Sequence, residues 1–161
     1  MIKIYKERYK EEIINLILFV QNNEFQLNIS VEEQSDILDI QTHYLKDGGN
    51  FWVALNESEK VVGSIGLQKK TIEIFVLKKF FVYLEYRGKE YSVGQGLFDV
   101  LIEYSKQQGI TTILLDTPSI AKRSHHFYEK NGFKEITKKE LPIAYDYPDR
   151  NSLLYKLDII Y

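Results

Sequence analysis

Phe80-Phe81-Val82-Tyr83-Leu84-Glu85-Tyr86-Arg87-Gly88-Lys89-Glu90-Tyr91-Ser92-Val93-Gly94-Gln95-Gly96-Leu97, running on into Phe98-Asp99-Val100-Leu101-Ile102-Glu103-Tyr104, is the stretch that decides how this chain folds. It begins as an aromatic, β-branched run, passes through a charged turn at Arg87-Gly88, and resumes with a Gly-x-Gly. After the glycines the apolar residues Val93, Leu97, Val100, Leu101 and Tyr104 fall on one helical face. The pattern reads as strand, glycine turn, helix. The first turn of such a helix has unsatisfied N–H groups and the positive end of the helix dipole, and glycines there let a ligand come close to the backbone, so the place suits an anion such as a pyrophosphate.

The flanks extend this pattern. Downstream, Gly109 closes the helix at Gln108 and Thr111–Leu115 reads as a short buried strand, which makes a parallel pair with the strand before the helix. Asp116-Thr117-Pro118 then looks like a helix start, with Thr117 as cap and Pro118 at the first position, and the helix runs to Lys130 or Asn131 before Gly132. Phe133–Ile136 and Ser152–Ile159 read as the last two strands, separated by the loop Leu141–Arg150. Upstream, Asn50–Leu55, Lys60–Gln68 and Thr71–Glu85 read as an antiparallel meander. Ile2–Tyr5 is a first short strand, Lys10–Asn22 a first helix, and Val31–Leu45 a second helix capped by Ser30, with Glu33 completing a capping box and Gly48-Gly49 ending it. No repeat, linker or low-complexity stretch interrupts the 161 residues. The expected architecture is a single mixed α/β domain over residues 1–161: a central, mostly antiparallel sheet with one parallel pair, flanked by about four helices.

Composition narrows the function. A net charge of -2 gives no basic footprint for nucleic acid. Ile13–Val20, the longest apolar run, is too short to span a bilayer, and Glu11 and Glu12 break any secretory leader, so the expected address is cytoplasmic, with no membrane partner. With no cysteine, a thiol nucleophile, a disulfide and a thiolate metal site are all excluded, and the three histidines show no ligand spacing, so no metal is expected. The Gly94-x-Gly96 pair lacks the third glycine of a dinucleotide fingerprint, since Asp99 stands there, and no Gly-Lys-Ser/Thr follows it.

Two local patterns resemble the GNAT superfamily of acyl-CoA N-acyltransferases. Val82 and Arg87-Gly88 followed by Gly94-Gln95-Gly96 are similar to the family's phosphate turn, with Leu84 where proline is common and Tyr91 where Arg or Gln is usual. Phe127-Tyr128-Glu129-Lys130-Asn131-Gly132-Phe133 resembles the signature closing the family's last helix, although the asparagine often seen before that helix is replaced near Ala121. The resemblance covers roughly Val82–Phe133 and implies a split between the fourth and fifth strands that takes acetyl-CoA as co-substrate. It places the pantetheine arm on the backbone of Phe81, Val82 and Tyr83. The pyrophosphate falls on the turn at Arg87 and Gly88 and on the N–H groups of Val93, Gly94, Gln95, Gly96 and Leu97. Tyr128 becomes the acid that protonates the departing thiolate, a role that suits a phenol protonated at neutral pH. Glu73 is the implied base, with Glu85, His125, His126 and a water chain as alternatives. Without a cysteine, the implied reaction is direct transfer to a primary amine of a small molecule. An acyl-CoA-binding module without transfer and a protein or peptide N-acetyltransferase are the alternatives, and a homodimer is left open. The acceptor is expected near residues 25–36, with Glu24, Glu32, Glu33 and Asp36, and near the loop ending in Arg150.

Overall fold

Every residue of Asn50–Leu55 is buried, because helical segments cover both faces of the sheet there. The computed structural model describes residues 1–88, 92–147 and 151–160. Its sheet has seven strands: β1 Ile2–Ile4, β2 Asn50–Leu55, β3 Val61–Lys69, β4 Ile74–Val82, β5 Thr112–Pro118, β6 Lys134–Ile136 and β7 Ser152–Asp158, in the order β1-β2-β3-β4-β5-β7-β6. All neighbours are antiparallel except β4 and β5. Helix α1 (Lys10–Leu18) covers one face over Phe51, Val53 and Leu55; α2 (Val93–Gln107) and α3 (Lys122–Lys130) cover the other over Trp52, Ala54, Phe75, Leu77 and Ile113. The mixed α/β sheet with one parallel pair is the architecture the sequence patterning implies.

The parallel pair is short. Only Ile74, Phe75 and Val76 pair with Thr112, Ile113 and Leu114. Beyond them β4 continues beside β3 to Val82 and β5 continues beside β7 to Pro118, so the two strands part into an open split.

Two expectations are corrected. Val31–Leu45 is not one α-helix. A 3-10 segment, Glu32–Leu38, is interrupted at Gln34 (φ -136°, ψ 63°), and a π-type turn, Gln41–Leu45, follows. Burial explains the break: Gln34 is turned inward to exchange amide hydrogen bonds with Gln21 at 2.6 and 3.0 Å, which a continuous helix would prevent. Ser30 still receives the Glu33 N–H at 3.3 Å, so the cap is real although the helix is not. Secondly, Asp116-Thr117-Pro118 does not start a helix. These residues extend β5, opposite Leu154, Leu153 and Ser152 of β7. Proline belongs at a free strand edge, and the departure of β4 provides one. The helix begins at Lys122, after the Pro118 carbonyl has accepted the Ala121 N–H at 3.0 Å.

Gly49 shows how closely the helical layer meets the sheet. A Cβ there would sit 1.9 Å from the Leu67 carbonyl oxygen, a backbone atom that cannot retreat. Gly49→Ala is expected to cost about 3 kcal/mol or more, measured as a fall in the urea midpoint. The buried phenols give a second stability prediction. Burial, reinforced by Asp36 beside Tyr44 and by Asp116 near Tyr128, raises both hydroxyls above the ordinary tyrosine value. The unfolded chain therefore loses these protons first. Their contribution is complete below about pH 10 and disappears as pH climbs from there toward the folded values, so the urea midpoint should hold to pH 9 and fall steeply above 10.

Candidate active site

The split is lined from both sides of the sheet. From the α2–α3 side, Tyr128 projects into an aromatic cluster with Phe80 of β4 (ring centroids 6.2 Å), Phe133 (5.6 Å) and Tyr155 of β7 (6.0 Å). It is 6% exposed, while Phe127 beside it is only half-buried; the inward ring is the tyrosine. Burial first, and the Asp116 charge second, keep its hydroxyl protonated well beyond neutral pH. Such a group is a neutral phenol at ordinary pH.

The backbone of β4 supplies the split's edge. The Tyr83 N–H goes to Val62 of β3 at 3.0 Å, so alternation turns the N–H and C=O of Val82 the other way, toward the split. The Val82 carbonyl accepts Arg87 Nε at 2.8 Å. Arg87 is also ion-paired with Glu24, so it joins the end of β4 to the segment after α1. Phe81 and Tyr83 lie half-buried against the α1 side.

The first turn of α2 stands beside this edge. Gly88 (φ +106°) and Ser92 (φ 50°) bend the chain into the helix. The N–H groups of Val93, Gly94 and Gln95 come before the first helical bond, which Gly96 donates to Ser92 at 2.9 Å. Two glycines here have different causes. A Cβ on Gly96 would press Ile2 Cδ1 at 3.1 Å, so packing against β1 explains it. A Cβ on Gly94 would meet only Phe80 at 3.7 Å and Val82 at 4.0 Å, ordinary contacts that leave the residue unexplained by the protein's own packing. Leu97 is buried in the core beneath this turn, and Gln95 bridges to Asn131 at the end of α3 at 2.9 Å. Tyr91, the departure in the phosphate turn, and Arg150 lie outside the described residues.

On the α1 side, a bulge shapes the floor. Register slips between Ser64 and Gly66, and Lys79 takes φ 54°, held by Ser64 Oγ, which donates to the Lys79 carbonyl at 2.7 Å. The Lys79 amine thereby reaches Gln34 Oε1 at 2.7 Å and Asp36 at 3.9 Å. Burial lowers its pKa, with Asp36 opposing the shift. Asp36 also accepts the Tyr44 hydroxyl at 2.5 Å. The carboxylates considered for an amine are thus partly engaged: Asp36 by Lys79 and Tyr44, Glu24 by Arg87.

Not every sequence candidate reaches the split. Glu73 is exposed in the turn before β4, at the closed end of the pair, where its carbonyl receives the Thr111 and Thr112 N–H groups at 3.0 and 3.1 Å. Six residues of strand, about 20 Å, separate it from Lys79. Glu85 is exposed past the end of β4. His125, 7% exposed, donates Nε2–H to the Pro118 carbonyl at 2.9 Å and is part of the turn into α3; His126 is exposed. Among the described residues, Asp116 of β5 is a carboxylate that stands two residues past the last β5–β4 pair, at the open split, a position which the helix-start reading of its segment concealed.

Residues 47–135 match the family model described as acetyltransferase (GNAT) domain. The chain belongs to the GNAT acetyltransferase family. An acetyltransferase from Streptococcus agalactiae shares 43% identity and superposes with a TM-score of 0.95, covering 99% of this chain and 98% of that one. A GNAT-family acetyltransferase from Staphylococcus aureus shares 37%, with a TM-score of 0.92 and 98% of each chain covered. Among curated relatives, the probable N-acetyltransferase camello of Xenopus tropicalis is 29% identical over 130 residues, 78% of this chain and 58% of the relative. This GNAT chain spans little more than half the length of that relative. Among its described residues, no helix is long and apolar enough to cross a membrane.

Proposed function

We propose that this chain is an N-acetyltransferase that moves an acetyl group from acetyl-CoA to a primary amine of a small molecule, by direct attack within a ternary complex, and that residues 1–161 act as one acyltransferase domain. The observation that carries this reading is the divergence of β4 from β5 directly between a buried, protonated Tyr128 and the first turn of α2. A peptide-like pantetheine arm pairs with the Val82 N–H at the edge of β4, beside the Val82 carbonyl that Arg87 already occupies, and Phe81 and Tyr83 flank it. The pyrophosphate takes the N–H groups of Val93, Gly94 and Gln95, since Gly96 already donates to Ser92 and Leu97 lies within the helix. Arg87 and Gly88 shape the approach to that turn, Arg87 through its bonds to Val82 and Glu24.

The chemistry then follows from charge. The amine nitrogen attacks the thioester carbonyl, the carbon–sulfur bond breaks, and negative charge collects on sulfur. Tyr128 gives its proton to that sulfur. A deprotonated phenol would be costly in its aromatic surroundings, so the proton must be replaced in the same turnover.

The test has two readouts. Acetyl-CoA and CoA should raise the melting temperature while NAD does not, and free thiol should appear when a panel of primary amines is added with acetyl-CoA. Stabilisation by NAD and not by CoA contradicts the reading. Stabilisation by CoA with no thiol from any amine, amino acid or peptide points to a binding module.

A further inference from the structure

We propose that Asp116 is the base that takes the proton from the acceptor amine, working from the opposite face of the sheet to the helix that carries Tyr128. The inference rests on the acetyltransferase reading above and adds to it the group which frees the nucleophile.

Placement comes first. In β5, Ile113 and Leu115 face α2 and α3, so alternation turns Leu114 and Asp116 to the α1 side. Asp116 lies two residues past Leu114, the last residue of β5 paired with β4. It is therefore the first α1-side residue of β5 at the open split. On β4, Lys78 lies two residues past Val76 and occupies the matching position across the gap. The carboxylate stands where a substrate meets the thioester from the side away from Tyr128, and the two groups are close enough for the Asp116 charge to act on the phenol.

The surroundings then suit a base. Asp116 keeps part of its surface open while protein encloses most of its carboxylate. Burial raises its pKa, and Lys78 and Lys79 of β4 act against that rise. From the loop after β6, the buried Tyr145 hydroxyl stands against the Asp116 carboxylate, a contact that favours the ionised form of the acid. On β7, the facing residue is Leu154, and Lys156 beyond it is turned to Asp158 at 3.5 Å. Asp36, the other carboxylate on this face, is held by Tyr44 and Lys79. Of the two carboxylates Asp36 and Asp116 on this face, Asp116 makes no ion pair with another described residue.

Protons balance through the two residues. An arriving ammonium gives one proton to Asp116, which passes it to solvent. The free nitrogen attacks the carbonyl, and the carbon–sulfur bond breaks as the nitrogen loses its second proton. Tyr128 protonates the sulfur and is itself restored by that second proton. The products are the amide, the CoA thiol and one proton released.

The test compares Asp116→Asn and Asp116→Glu with wild type, using acetyl-CoA with propylamine, benzylamine and the common amino acids, and separately with hydroxylamine, which is uncharged at neutral pH and needs no base. Asp116→Asn should lower kcat/KM for the best alkyl amine about a hundredfold or more and remove the acid limb of its pH profile. Its hydroxylamine rate should change less than about threefold and its acetyl-CoA affinity less than about twofold, because the base acts only on a charged amine. Asp116→Glu should restore part of the alkyl-amine rate. The melting temperature of Asp116→Asn should rise at pH 7: folding raises this carboxyl's pKa, so its contribution is favourable only at acid pH and is lost as pH rises through the folded value. An acid limb that survives in Asp116→Asn, or equal losses on hydroxylamine and alkyl amines, overturns the proposal. So does a wild type that acetylates hydroxylamine and no ordinary amine. A wild type that acetyl-CoA does not stabilise overturns the acetyltransferase reading itself.

Discussion

Replacing Tyr128 with phenylalanine is expected to lower kcat about a hundredfold while leaving the acetyl-CoA affinity within about twofold. The ring stays. Its contacts with Phe80, Phe133 and Tyr155 are aromatic, and phenylalanine keeps them. Only the hydroxyl goes, and it makes no hydrogen bond with another described residue that would be left unmet. The expected change in the urea midpoint is therefore small. The loss sits at the lower end of what a general acid supplies because a thiolate is already a fair leaving group near neutral pH. A rate within about threefold of wild type would remove Tyr128 from the chemistry.

Changes at Gly94 should separate stability from ligand binding. Gly94→Ala fills open space within a helix, so the fold should gain about 0.5 kcal/mol. Its methyl group enters the place proposed for the pyrophosphate, and acetyl-CoA affinity should fall about tenfold, or 1.4 kcal/mol. Gly94→Glu carries the contrast further. A carboxylate in the first turn of a helix is favourable for the helix and repels a pyrophosphate at the same N–H groups, so affinity should fall about a hundredfold in a protein that still folds. Calorimetric titration with acetyl-CoA alongside urea unfolding reads both quantities. Unchanged affinity in both variants would place the pyrophosphate elsewhere.

These expectations rest on features of unequal visibility in the sequence. The meander, α2 with Gly109 behind it, and the Phe127-Tyr128 signature are local patterns, and local patterns set the sheet and its two covered faces. Glu73 shows where locality ends. Its strand was legible, but the sequence does not say at which end the parallel pair closes, and the register places Glu73 at the closed end. Asp116 was hidden for a different reason. Asp-Thr-Pro offers the side chains of a helix cap and equally those of a strand end at a free edge, and only the departure of β4 chooses between them. The Gln21–Gln34–Lys79–Asp36 group is joined by direct contacts between residues up to 45 apart, through a bulge that β-branched and aromatic patterning does not announce.

A crystal structure with CoA bound tests the central claim most directly. The pyrophosphate should lie on the N–H groups of Val93, Gly94 and Gln95, the pantetheine arm against Val82, and the thiol sulfur within hydrogen-bonding reach of the Tyr128 hydroxyl, about 3.5 Å. The alternative is already marked on the surface: a concavity of about 350 Å³ between α1 and the β2–β3 turn, lined by Glu12, Asn56, Tyr83 and Tyr86. CoA found there, with the split between β4 and β5 empty, would contradict the account.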